Sequence, residues 1–317
     1  MRLSTANDGQ FHGISSLEKY PDGSIEGCTL LERNEIQTAC GVLIPQYEDS
    51  SVRRKHIHSV TFYKSGRIKS IALHEQTMVK TSAGVLPAEL LTFYESGRLK
   101  RVFPLNGKIS AYWTEEDEFG LAEELPFAFI FGAFSVRVIS VYFYESGAVK
   151  GLTLWPNEVV GLRLPAGEAQ ARIGISLYPD GRLKSFEPAL PQPVGTPLGV
   201  IEAYHDNAIG INGDNNSLGF YPNGAVKHLA TNDFITVSDK KGNKTVFGTK
   251  PERSVLLDKM EVRPLWLEFS DDGRFLSIGN DVKSWFNINE NQFSISQSLK
   301  LVFSSNCRDC SVCEACG

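Results

Sequence analysis

Apolar residues recur along this chain in short alternating runs that break at glycine. The segments EKYPDGSIEG, TFYKSGRIKS, TFYESGRLKR, YFYESGAVKG, SLYPDGRLKS, GFYPNGAVKH and EFSDDGRFLS superimpose on Gly23, Gly66, Gly97, Gly147, Gly181, Gly224 and Gly273. Three residues before the glycine stands Tyr20, Tyr63, Tyr94, Tyr144, Tyr178 or Tyr221, with Ser270 in the last copy. Two residues after it stands Ile25, Ile68, Leu99, Val149, Leu183, Val226 or Phe275. Tyr-Pro-Asp-Gly and its variants suit a type I turn closed by a glycine in the left-handed region. That combination is the three-residue hairpin loop with a bulge. Each copy therefore predicts a β-hairpin tip.

Alternation then assigns the faces. Phe62, Phe93, Phe143, Leu177, Phe220 and Phe269 share a side with the aliphatic residues after the glycine. Leu17, Val60, Leu91, Val141, Ile175, Leu218 and Leu267 fall on that same side, which predicts the core. The tyrosines turn the other way, opposite Arg67, Arg98 and Arg182, with Lys69, Lys100, Lys150, Lys184 and Lys227 beside them. A weaker half-repeat aligns residues 30–45 with 73–87, and 154–165 is a shorter version. It sets Cys40 against Ala83 and Cys28 against Ile71, so both body thiols are expected in the core. Hairpins that cannot bury their faces alone stack into one sheet.

The expected fold is all-β, an elongated, twisted antiparallel sheet of tandem hairpins. It divides into an array over 1–230, divergent repeat and capping strands over 231–302, and a short flexible cysteine-rich tail over 303–317. The acidic segment TEEDEFGLAEEL (114–125) is expected as a short helix or loop inserted in the array. TVSDKKGNKTVFG predicts a further hairpin with a Lys-Gly-Asn turn, and SWFNINENQFSISQSLKLVF two last strands.

The glycine-centred unit FYxSGxxK or YPDGxxK resembles the variant bacterial MORN repeat, a tandem β-hairpin module. The resemblance implies the hairpin fold and an association with protein or lipid contacts and scaffolding. Bacterial proteins carrying this variant are often antitoxin-like. The copies here lie further apart than in that family, and the second glycine element of each unit is mostly missing.

Composition narrows the function. The chain has 317 residues, 42% hydrophobic and 22% charged, values ordinary for a globular protein. A formal net charge of −5 argues against a nucleic-acid partner. No apolar run approaches a membrane span, and MRLSTANDGQ lacks a signal-peptide core, so a cytoplasmic address is expected. No GxSxG, HExxH, P-loop or GxGxxG signature points to an enzyme. His56 and His58, two apart, fit an ordinary strand surface better than a metal site, and HDNAIGINGDNN (205–216) fits turn chemistry.

Two features carry candidate chemistry. Aromatic and basic side chains on a flat sheet bind anions, sugars or peptides, which nominates Tyr63, Tyr94, Tyr144, Tyr178, Tyr221, Arg67, Arg98 and Arg182. The competing reading is a solvated face whose cross-strand pairs steady the sheet. The tail SSNCRDCSVCEACG places Cys307, Cys310, Cys313 and Cys316 at three-residue steps. Thiolates are soft ligands for zinc, copper(I) or iron–sulfur clusters. The run resembles the cluster-binding Cys-x2-Cys-x2-Cys of bacterial ferredoxins, except that two residues rather than three precede the fourth cysteine and no proline follows. The expectation is a non-enzymatic binding or scaffold protein with a protein partner, its tail holding an iron–sulfur centre or zinc. The alternatives are a precursor whose tail is modified or loaded by partner enzymes, and an antitoxin-like protein-binding module.

Overall fold

The computed structural model describes residues 3–4, 10–47, 53, 58–165, 167–208, 216–253 and 260–297. Sixteen strands form one antiparallel sheet, and its neighbours follow one another in chain order from Ile14–Lys19 to Ser284–Asn287. At about 4.8 Å per strand the sheet is on the order of 70 Å long. No helix among the described residues is long and apolar enough to cross a membrane.

Each glycine-centred segment is a hairpin tip. In the Gly97 copy the glycine N–H donates to the Tyr94 carbonyl at 2.8 Å, and the Tyr94 N–H donates to the Arg98 carbonyl at 2.8 Å. Gly97 sits at φ +86, a conformation in which a Cβ clashes with the backbone. The same two bonds recur at Tyr20, Tyr63, Tyr144, Tyr178 and Tyr221. Ser270 instead donates to Phe275, one residue further on, so the last loop is longer. That extra residue corrects one expectation: Phe275 is 45% exposed, and Leu276 pairs with Phe269 in its place.

The connections between tips are themselves hairpins. They comprise Ile36–Thr38 with Gly41–Leu43, the far halves of Ile68–Thr81 and Gly84–Phe93, and Leu125–Phe129 with Gly132–Val136. Val159–Leu164 with Gly167–Leu177, Gln192–Thr196 with Gly199–Ala203, Phe234–Ser238 with Lys244–Phe247, and Lys250–Arg253 with Met260–Arg263 complete the series among the described residues. Their inward residues, among them Leu43, Val79, Leu86, Phe127, Leu162, Ile201 and Ile235, join one core with Phe62, Phe93, Phe143, Phe186 and Phe269. The outward positions Val42, Met78, Val85, Val200 and Val246 are exposed. Among the described residues the molecule is thus two layers: return hairpins fold over one face of the long sheet and leave the other face open.

Bulges make the fold-over possible, because an extra residue bends a strand. Register slips between Ala72 and Thr77 on one strand and between Arg172 and Ile175 on another, where Ile173 has φ +62. Threonine closes three of the return turns. The hydroxyls of Thr38, Thr81 and Thr196 donate to the carbonyls of Gly41, Gly84 and Gly199 at 2.9, 2.8 and 2.7 Å. Cys40 occupies the position of Ala83 in this turn and packs against the core, while Cys28 is fully buried and its thiol is pushed up to about 11 by burial.

The acidic insertion forms the helix Glu115–Phe119, capped by Thr114 and Asp117 in a reciprocal box. Its one buried acid anchors it. Glu118 accepts from Arg53 Nε at 2.8 Å, Trp113 Nε1 at 2.7 Å and the Gly107 N–H at 2.7 Å. The same guanidinium is bidentate to Glu89 at 3.0 and 2.9 Å.

The Lys-Gly-Asn hairpin adopts the tip geometry, with Asp239 in the tyrosine position and Gly242 at φ +84. The two last strands part company. Ser284–Asn287 ends the long sheet, and Gln292–Ser296 pairs with Phe234–Ser238 in the second layer.

Candidate functional site

A bulge follows each of the first six tips and decides what the open face presents. In the third hairpin Phe93 pairs with Leu99 and Thr92 with Arg101, so Lys100 is the unpaired residue. The equivalents are Glu26, Lys69, Lys150, Lys184 and Lys227. The bulge sends two consecutive residues to the open face, for instance Lys100 and Arg101, before the next returns to the core. Five successive hairpins therefore each raise one lysine there.

One register row passes beside these lysines through the middle of the sheet. It runs Gly27, Thr61, Ser70, Thr92, Arg101, Tyr142, Gly151, Ser176, Ser185, Gly219 and His228 through successive strand pairs. This central stretch of the row contains no acid. Glu18 pairs with Gly27 at one end and Glu268 with His228 at the other. The nearby acid Glu187 is buried, and its oxygens accept from the Ser217 N–H at 2.7 Å and hydroxyl at 2.8 Å. Glu95, Glu145 and Asp180 stand in the exposed tip loops. A chain of net charge −5 thus carries a cationic strip on one face.

The tyrosines bind each hairpin to the next. Tyr20 donates to the Phe62 carbonyl at 2.9 Å, and Tyr63, Tyr94, Tyr144, Tyr178 and Tyr221 donate to Phe93, Phe143, Leu177, Phe220 and Phe269 at 2.8 Å. The acceptor is always the residue before the next column member. Ser270 ends the column because no glycine-centred tip follows it in the long sheet. Arginines run a parallel set of bonds: Arg67 and Arg98 reach the Glu95 and Glu145 carbonyls at 3.3 Å, and Arg182 reaches that of Pro222. Burial is the largest cause that raises the phenols of Tyr63, Tyr178 and Tyr221, and Tyr94 is pushed up to about 12.

The rings remain available as walls. Lys100 lies 5.5 Å from the Tyr94 ring centre, Lys227 5.7 Å from Tyr221, and Lys150 4.2 Å from Tyr142. Arg101 lies 5.2 Å from both Phe103 and Tyr142. Tyr63, Lys69, Ser70, Thr92, Lys100 and Arg101 line a cleft of about 400 Å³ with Phe103 and Tyr142. Ammonium and guanidinium groups over aromatic faces, with hydroxyls on the floor, suit an anionic ligand.

The nominated tyrosines and arginines all hold neighbouring hairpins together; Tyr63, Tyr94 and Tyr144 stand beside the lysines, whereas Arg67 and Arg182 sit at the tips in clefts shared with the return-hairpin residues Thr38 and Val194. Arg101, Tyr142, Ser70 and Thr92 escaped the repeat reading because only the register places them in the row, and Phe103 because it enters only through its contact with Arg101. The signal was the lysine that recurs three residues after glycine. Cys307, Cys310, Cys313, Cys316 and His56 lie outside the described residues. Among the described residues no group of three or more His, Cys, Asp or Glu is placed to hold a metal ion. His58 Nε2 lies 2.6 Å from Glu18 Oε2.

No family model matches the chain, and neither the curated proteins nor the solved structures include a significant match.

Proposed function

We propose that this chain is a non-catalytic binding or scaffold protein that holds a protein partner against the open face of its sheet. The observation that carries this reading is the asymmetry of the two faces. One is covered by return hairpins, while the other carries five lysines and Arg101 among tyrosines in an acidic protein. A rigid array cross-tied by tyrosine and arginine bonds costs little ordering entropy on binding. The tandem hairpins also fit the resemblance to variant bacterial MORN repeats, which implies an association with protein or lipid contacts and scaffolding.

Cys307, Cys310, Cys313 and Cys316 add a thiolate group for an iron–sulfur centre or zinc. Purification of the full chain without oxygen, followed by metal and sulfide analysis and intact mass, tests this part. Stoichiometric iron with sulfide, or zinc, lost in Cys310→Ser/Cys313→Ser supports it. A metal-free chain with extra mass on the tail peptide replaces it with the precursor reading. A bare, unmodified tail removes it. The binding face is tested by comparing a partner captured by the full chain with capture by Lys69→Glu/Lys100→Glu. Equal capture rules out the open face.

A further inference from the structure

We propose that the open-face strip takes an extended acidic peptide in the polyproline II conformation, with a carboxylate at every third residue. This rests on the binding-face reading and names its ligand chemistry. The argument begins with spacing. Each hairpin contributes two strands at about 4.8 Å, so Lys69, Lys100, Lys150, Lys184 and Lys227 recur at intervals of about 9.6 Å along the sheet. A polyproline II helix has three residues per turn and rises about 3.1 Å per residue, a repeat of about 9.3 Å. Residues i and i+3 of such a ligand point the same way. One acid per turn therefore meets one lysine per hairpin. A β-strand ligand repeats its side-chain direction at about 6.8 Å and falls out of step.

The walls fit the same ligand. Polyproline II segments dock in aromatic-lined grooves because the helix is preformed and presents ridges between its side chains. Here Tyr63, Tyr94, Phe103, Tyr142 and Tyr144 stand along the strip where Lys69, Lys100 and Lys150 rise. The phenol oxygens of Tyr63, Tyr94 and Tyr144 are held by neighbouring carbonyls, which fixes the rings before binding. Arg101, set between Phe103 and Tyr142, adds a second cation at the middle hairpin. Charge selects the acid: the row is free of carboxylates from Gly27 to His228, and the flanking acids Glu18 and Glu268 mark its ends. Sheet twist of about 20–25° per strand turns the strip, so a straight ligand follows two or three hairpins. That length corresponds to about nine residues.

The probe is a labelled (Glu-Pro-Pro)4 peptide titrated against the full chain by fluorescence anisotropy. Its isomer with four glutamates followed by eight prolines carries the same charge. The regular peptide is expected to bind, to weaken as salt rises, and to bind at least about tenfold more tightly than the isomer. Lys69→Gln/Lys100→Gln/Lys150→Gln is expected to lose at least about tenfold in affinity, and Lys100→Gln alone about threefold. Equal binding of the two isomers overturns the spacing argument, and an unaffected triple variant overturns the site. An RNA oligomer or anionic vesicle that binds through the three lysines while the peptide does not overturns the peptide as occupant. If the peptide fails but a captured protein partner is lost in the triple variant, the binding face stands and this ligand assignment falls.

Discussion

Removing one oxygen atom from Tyr94 separates cross-tie from recognition. In Tyr94→Phe the ring still lines the open face, but the 2.8 Å bond to the Phe143 carbonyl is gone. The expected loss is about 1 kcal/mol in urea unfolding, with a smaller loss of peptide affinity than in Lys100→Gln, because the ring stays in place but is no longer fixed by that bond. The same hydroxyl sets an alkaline limit. Its folded value is pushed from the ordinary 10.0 to about 12, chiefly by burial, so the fold favours the protonated phenol. The stability it contributes is complete below about pH 10 and is lost as pH rises toward 12. Urea midpoints followed across this window are expected to fall in the wild type and to fall less in Tyr94→Phe.

Within a hairpin, glycine serves two different purposes, and substitution tells them apart. Gly97 has φ +86 and open space where a Cβ would stand, so Gly97→Ala costs backbone strain alone, about 1–2 kcal/mol, and Gly97→Asn costs less. Gly219 is crowded instead: a Cβ there would lie 2.2 Å from the His228 ring across the strand pair. Gly219→Ala is expected to lower the melting temperature, and His228→Ala in the same chain to restore part of it. Additive losses in the double variant would exclude the ring contact as the cause. The bulge after the tip is the third device, because it turns the lysine column and its successor toward solvent together.

Across the molecule, long-range ties decide how hairpins become one body. Arg53 joins Glu89 and Glu118, whose side chains are 7% and 4% exposed, and so pins the insertion to the second hairpin connection. Arg53→Met removes the guanidinium that two buried carboxylates share, with an expected cost of about 3–5 kcal/mol and early loss of amide protection at Gly107. The tyrosine and arginine bonds act along the other axis, each hairpin on its successor, which suits nearest-neighbour cooperativity in a repeat array.

Local chemistry determined the tips, since Tyr-x-x-Gly with proline, serine, aspartate or asparagine between admits few turns. It also determined the apolar columns at Val60, Leu91, Val141, Ile175, Leu218 and Leu267, all of which are buried. The acidic run near Glu115 was legible as a short inserted helix or loop, and the Thr114–Asp117 box decided for the helix. The return hairpins were visible only in part, because Thr38, Thr81 and Thr196 share too short a pattern and the connections differ in length. Phe275 misled because the last hairpin takes its extra residue into the loop instead of a bulge after it, which exposes Phe275 and turns Leu276 inward while Ile278 keeps the buried place of Val102. Only the tertiary structure decided that the returns fold over one face, that each tyrosine hydroxyl finds the next hairpin, and that Arg101 and Tyr142 meet beside the lysines. Those outcomes depend on register between strands remote in sequence, and register is set by bulges and packing that no single segment encodes.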